Sequence, residues 1–241
     1  MKTINTLKKV SLATFLTFVL SFSSVFAQND TMYIMKSGAI VGQYNVNTEV
    51  DSVIFYKPTI EETTSETFID SRDGNEYNWV QIGDQVWMAE NLAYEPSSGN
   101  YWAYDNNNSN VETYGYLYDW ETACDVCPAG WHLPSDAEWT ELTDYLGGTS
   151  VAGGKLKETG TTHWASPNTG ATNETGFTAL PGGYRNYDGS FDIVGYTGYW
   201  WSATEYNATN AWYRGMYYHN SYVNRNNLYK KVGFSVRCVR D

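Results

Sequence analysis

The chain has 241 residues, with 15 Lys and Arg against 27 Asp and Glu, a formal charge of −12, and 10 Trp, 21 Tyr and 9 Phe. An acidic chain with no basic stripe is excluded from phosphate-led nucleic-acid binding and from anionic membrane surfaces. Its 17% aromatic content supplies the bulk for a packed core that a disordered acidic chain lacks, and its length allows one large domain or two small ones.

Lys2, Lys8 and Lys9 precede an uncharged, mostly apolar stretch over residues 10–22, and Val25-Phe26-Ala27 follows it. This is the three-part pattern of a cleavable secretory signal, with cleavage expected after Ala27. The apolar run is shorter than the roughly 20 residues of a membrane span, and no later run is longer, so no span is expected in the mature chain. Removing three Lys and no acid leaves 12 basic and 27 acidic side chains in residues 28–241, a net charge of −15. No cysteine precedes Cys124, so a lipid-anchored form is not expected. The mature chain is expected in the periplasm, at the outer surface or in the medium.

Residues 28–57 read as a short β segment. Two β-like runs, 31–35 and 50–56, are separated by a Lys36-Ser37-Gly38 turn and Gly42, which suits a hairpin or a three-stranded meander. Such a piece is marginal alone and should pair in cis or in trans. Residues 58–66 are polar and acidic without apolar periodicity, which reads as a linker, and the main domain runs over 67–241. Within it, runs at 77–82 and 85–88 flank Gly83-Asp84, a two-residue hairpin turn. The best helical pattern covers 136–146. There Ser135 and Glu138 are spaced as a capping box, Gly147-Gly148 closes the far end, and Trp139, Leu142, Thr143 and Leu146 share one face. A weaker helix covers 115–123. After Gly176, short β-like runs (177–180, 199–202, 212–218 and 233–239) alternate with Gly/Asn turns, so the fold class is α+β, with two helices and a mainly antiparallel sheet.

Several segments carry a resemblance. Asp70-Ser71-Arg72-Asp73-Gly74-Asn75-Glu76-Tyr77, Met88-Ala89-Glu90-Asn91-Leu92, Cys127-Pro128-Ala129-Gly130-Trp131-His132-Leu133-Pro134, Leu180-Pro181-Gly182-Gly183-Tyr184-Arg185, Tyr199-Trp200-Trp201-Ser202 and Gly233-Phe234-Ser235-Val236-Arg237-Cys238 occur in that order. Together they resemble the signatures of the Fibrobacter succinogenes major paralogous domain, a family of secreted bacterial proteins, over residues 67–241. More distantly, Leu133-Pro134-Ser135-Asp136-Ala137-Glu138-Trp139 with Gly233-Phe234-Ser235-Val236-Arg237 is similar to the motif pair of formylglycine-generating sulfatase-modifying enzymes. That similarity implies a C-type-lectin-like architecture. It does not imply the oxidase activity, because those enzymes use a late cysteine pair and this chain has one late cysteine, Cys238. The calcium-binding motifs of sugar-binding C-type lectins are also absent.

Three cysteines cannot all pair internally. The resemblance favours a Cys127–Cys238 disulfide, which would close a loop of about 110 residues and leave Cys124 spare. A Cys124–Cys127 pair and a zinc site from Cys124, Cys127, His132 and Cys238 are the alternatives.

Asp105-Asn106-Asn107-Asn108-Ser109-Asn110 places oxygen ligands at alternate positions, as half of a calcium loop does, but Asn110 and Tyr116 stand where an EF-hand needs Gly and Glu. Calcium is therefore a weak expectation, and no other cofactor or metal is expected. The three histidines have no nucleophile motif around them, so no catalytic residue is assigned. The stretch 196–229 is different. It interleaves Tyr and Trp with Asn and Ser, the composition of adaptable binding surfaces, and flat rings beside amides suit sugars. Trp212, Tyr213, Tyr217, Tyr218, His219, Tyr222 and Asn224 are its candidate ligand residues, against the alternative that half of these rings are core. If the segment is a strand, one of Trp200 and Trp201 must point inward and one outward.

The leading functional expectation is an exported, non-enzymatic binding or adhesion module for a glycan or a surface protein. A structural or assembly component of the bacterial envelope is the second reading, and a sulfatase-modifying type of oxidase the third.

Overall fold

The computed structural model describes residues 31–36, 39–45 and 66–241. The signal, the run at 50–56 and the linker up to residue 65 lie outside the described residues. In the first of two units, residues 1–60, β1 (Thr31–Lys36) pairs antiparallel with β2 (Ala39–Asn45), with a register shift between Ile34 and Met35. The partner of the first run is thus the Gly42-containing segment, which the sequence pattern assigns to the connection.

The second unit, residues 61–241, is α+β with mainly antiparallel sheets. One sheet has the order β3 (Glu66–Ile69), β4 (Glu76–Ile82), β5 (Gln85–Met88), β15 (Val239–Arg240), β8 (Trp131–His132). The β4–β5 hairpin turns through Gly83 at φ 63° and Asp84, as the sequence pattern requires. The other sheet has the order β13 (Val223–Tyr229), β12 (Asn210–Tyr217), β11 (Thr197–Glu205), β14 (Phe234–Ser235), β7 (Leu117–Tyr118), β6 (Tyr101–Trp102). A short pair, β9 (Tyr184–Arg185) and β10 (Phe191–Asp192), forms its own ladder and is joined to the second sheet by isolated bridges from Gly183 to Gly198 and from Arg185 to Gly233.

Four helices occur among the described residues: α1 (Val111–Tyr114), α2 (Trp120–Asp125), α3 (Asp136–Tyr145) and α4 (Thr149–Leu156). The α3 capping box forms as spaced, Ser135 N–H donating to Glu138 Oε2 at 2.7 Å and Glu138 N–H to Ser135 Oγ at 3.2 Å. Its stripe of Trp139, Leu142, Thr143 and Leu146 is buried. The weaker helix starts five residues later than its pattern suggested, because Leu117 and Tyr118 pair between β14 and β6, and Asp119 then caps α2 by accepting from Thr122 N–H. α4 gave no helical signal, since Gly153 and Gly154 sit inside it at a propensity cost. Packing explains them. A Cβ at Gly153 would stand 2.4 Å from the Tyr222 carbonyl oxygen, and one at Gly154 would stand 2.4 Å from that of Gly170.

Trp200 and Trp201 are both fully buried, which corrects the expectation that one would face water. They do point to opposite faces, but each face is covered. Trp200 packs with Trp87, Trp139, Leu142 and Phe177 on the α3–α4 side, and Trp201 packs with Tyr118, Tyr213 and Phe234 on the other. The run at 177–180 is not a strand; only an isolated bridge joins Lys157 to Ala179. The run at 233–239 divides between β14 and β15, which belong to different sheets.

A buried polar hub ties these layers together. Arg237, in the link from β14 to β15, donates to Asn91 Oδ1 at 3.0 and 3.3 Å and to the carbonyls of Phe177 and Thr178, with its guanidinium over the Phe177 ring. Asn91 Oδ1 also accepts from Trp200 Nε1 at 2.8 Å, while its amide nitrogen donates to the Tyr114 carbonyl at 2.9 Å and to Ser235 Oγ at 3.4 Å. Burial pushes the Arg237 pKa down to about 9, and among the described residues no carboxylate is hydrogen-bonded to this charge. Removing the shared acceptor strands that charge. Asn91→Ala is expected to cost about 3 kcal/mol, read as a lowered urea midpoint at unchanged m-value; a loss below about 1 kcal/mol would mean the hub is dispensable.

Candidate tyrosine–asparagine face

The long strands β11, β12 and β13 set the site by alternation. On one face stand Tyr199 and Trp201 from β11, Tyr213, Gly215 and Tyr217 from β12, and Asn224 and Asn226 from β13, since Tyr199 lies opposite Gly215, Trp201 opposite Tyr213, Asn224 opposite Gly215 and Asn226 opposite Tyr213. Gly215 makes room for a ring: a Cβ there would come within 3.0 Å of Tyr199 Cε1. Tyr199 accordingly lies across the strand, edge-on to Tyr213 (centroids 5.4 Å apart), Tyr217 (6.1 Å) and Tyr184 from β9 (5.8 Å), and stacked on Phe234 beneath (5.0 Å). The Tyr199 and Tyr217 hydroxyl oxygens are 3.5 Å apart. Burial pushes the Tyr213 pKa up to about 12 and raises that of Tyr199 as well, so these phenols stay neutral donors at any physiological pH. Beside the rings, the half-buried Asn224 side chain makes no hydrogen bond among the described residues, and Asn226 uses only its oxygen, accepting from Asn227 N–H.

The structure therefore brings together Tyr213, Tyr217 and Asn224 of the candidate residues, and adds Tyr184 and Tyr199. Trp212 lies on the opposite face of β12, under the Arg225 guanidinium at 3.5 Å and edge-on to Tyr206. Arg225 forks onto both oxygens of Asp136, which also accepts from the buried Arg214 at 2.7 Å. Although burial raises its pKa, the bonds from Arg225 and Arg214 hold the Asp136 carboxyl below the usual range. Tyr218, His219 and Tyr222 lie in the turn between β12 and β13. Tyr218 packs edge-on to Tyr196 and against the α3–α4 core, His219 is exposed beside the rings of Tyr217 and Tyr218, and Tyr222 is 51% exposed. Strand alternation could have found the split once β12 was recognised. Tyr184 carried no such signal, because it stands on the two-residue strand β9, outside that alternation.

That turn is fastened from below by Lys157, which is fully buried and donates from Nζ to the carbonyls of Asn220 (2.8 Å), Tyr217 (2.9 Å) and Thr169 (3.1 Å).

Elsewhere, two adjoining open clefts of about 570 and 370 Å3 share Arg72, Tyr94, Pro96 and Ser97 as a common wall. In the Asn-rich segment 105–110, exposed except at Asn110, Asn107 Oδ1 accepts from Ser109 N–H and Oγ, and Asn110 donates to the Tyr104 carbonyl.

His132 is held between two carboxylates, Nε2 2.8 Å from Glu138 Oε1 and Nδ1 2.7 Å from Asp241 Oδ1. Burial lowers its pKa, but the two carboxylates outweigh burial and the net direction is up. A raised folded pKa stabilises below the unfolded value near 6.5, and that stability is lost as pH rises through the folded value. The stability difference between the chain and His132→Asn should be largest near about pH 5.5 and shrink by about pH 8.5, measured by urea unfolding at each pH; a pH-independent difference would refute this link.

The cysteines pair as Cys127–Cys238 across 111 positions, which overturns both the Cys124–Cys127 and the zinc alternatives. Cys124 is half-buried, and burial, with Asp125 beside it, pushes its thiol up to about 12, so it is a poor nucleophile. Reducing a disulfide that closes so long a loop should cost about 4–5 kcal/mol, seen as a lower urea midpoint in dithiothreitol than in air-oxidised buffer.

The family model described as the Fibrobacter succinogenes major domain matches residues 80–240, and the chain belongs to that family. No curated protein matches the chain, and no solved structure does.

Proposed function

We propose that the chain is an exported, non-enzymatic binding module that recognises a glycan through the face built from Tyr184, Tyr199, Tyr213, Tyr217, Asn224 and Asn226. One observation carries this reading: four edge-packed tyrosines, three of them against Phe234, beside a half-buried amide with no hydrogen bond among the described residues. Rings held at fixed angles cost little entropy on binding, and free amides and hydroxyls match the donors and acceptors of a sugar. Export is supported by the signal-like pattern of residues 1–27 and by a disulfide, which persists in oxidising compartments. Among the described residues no helix is long and apolar enough to cross a membrane. The motif similarity to sulfatase-modifying enzymes supports reading the fold as a C-type-lectin-like variant, without their cysteine pair.

A glycan array probed with residues 28–241, with and without calcium, tests the reading. Tyr213 is too buried to truncate safely, so the variant of choice is Tyr217→Ala with Asn224→Ala and Asn226→Ala. The expected result is binding that this variant loses by at least about tenfold while keeping its near-ultraviolet circular dichroism. Absence of binding to any glycan would refute the glycan reading and favour an envelope assembly role.

A further inference from the structure

We propose that Lys157 is the positioning residue of this face, an internal cation that fixes the β12–β13 turn so that no divalent ion is needed to organise it. The proposal rests on the glycan-binding reading for its functional meaning and on geometry for its mechanism. The ammonium carries three protons, and each has an acceptor from a different stretch of backbone: Thr169 in the loop after α4, Tyr217 at the end of β12, and Asn220 in the turn. The side chain is fully buried, among the described residues no carboxylate lies within salt-bridge distance, and the Trp164 ring is 5.2 Å away. Converging carbonyls around a desolvated positive charge are what a bound metal would present to these loops. Tyr217 and Asn224, which flank the turn, are the two members of the face whose relative position it sets. The turn is closed further by Thr169 N–H donating to the Tyr218 carbonyl at 2.8 Å, Gly154 N–H to that of Ser221 at 3.2 Å, and Tyr218 N–H to that of Tyr196 at 3.0 Å. Burial pushes the Lys157 pKa down to about 8, which leaves the ammonium form predominant at neutral pH.

The test compares Lys157→Met, which keeps the aliphatic length and removes the charge, with the unsubstituted chain. Amide hydrogen exchange followed by mass spectrometry should show at least about tenfold faster exchange over residues 217–222 and 168–172 in the variant, with less than about twofold change over β11. Affinity for a neutral cello-, xylo- or manno-oligosaccharide, used as the probe, should fall by at least about tenfold. Neither readout of the unsubstituted chain should respond to EDTA. Unchanged protection of the turn, a uniform loss across β11, β12 and β13, or a response to EDTA would overturn the proposal. If the unsubstituted chain bound none of these sugars, the exchange data would still decide the role of Lys157, and the glycan array would decide the glycan reading separately. Should Lys157→Met not fold, the unsubstituted chain labelled with 15N-lysine decides: a slowly exchanging Nζ–H signal from Lys157 supports the proposal, and exchange as fast as that of the exposed lysines refutes it.

Discussion

The guanidinium of Arg237 is the constraint on which the rest of the fold depends. A charge completely removed from water must find its hydrogen bonds in the protein, and with no carboxylate among the described residues bonded to it the acceptors are one amide and two backbone carbonyls. Those acceptors come from distant segments. Asn91 follows β5, Phe177 and Thr178 belong to the irregular stretch after α4, and Asn91 reaches on to Trp200 of β11 and to the Tyr114 carbonyl of α1. Both sheets and the loop between α4 and β9 are thus registered against one group. Immediately after it, Cys238 is bonded to Cys127, so the same short segment carries the covalent tie as well.

This explains what the recurring segments of the sequence are for. Asn91, Trp200, Ser235 and Arg237 each sit in one of the segments by which the chain resembles its family, and in the structure they form one network. The Leu133–Trp139 segment likewise supplies the α3 capping box and Asp136, which holds Arg214 and Arg225. The family signature therefore specifies a scaffold. The tyrosine–asparagine face draws mainly on residues outside it, Tyr213, Tyr217, Asn224 and Asn226.

Legibility in the sequence followed how local each cause was. The α3 helix was readable because its cap, stripe and stop all lie within about fourteen residues, and the β4–β5 hairpin because its turn does. α4 was hidden because its two glycines answer to carbonyls of Gly170 and Tyr222 far along the chain. β13 was hidden because Asn-rich sequence has low strand propensity, and only pairing with β12 over seven consecutive residues makes it a strand. For the site, composition pointed to the right stretch, yet composition has no faces. Trp212 and Tyr213 looked equivalent until alternation sent one beneath Arg225 and the other onto the tyrosine cluster.

Charge narrows what that face can take. The described basic side chains are almost wholly engaged: Arg72 on Asp70, Arg214 and Arg225 on Asp136, Lys155 on Glu174, Lys230 on Glu205, Arg185 over Trp102, and Arg240 over Trp79 and Trp131, while Lys157 and Arg237 are buried. The acids outnumber these cations, and the excess gives the surface its negative field. A sulfated or carboxylated polymer would meet repulsion at long range and would have to displace an existing ion pair or cation–π contact at short range. An uncharged sugar meets neither cost. Neutral phenols and amides are groups whose hydrogen bonding is indifferent to that field, so a face made of them on an acidic scaffold favours uncharged ligands and a binding strength that changes little with salt.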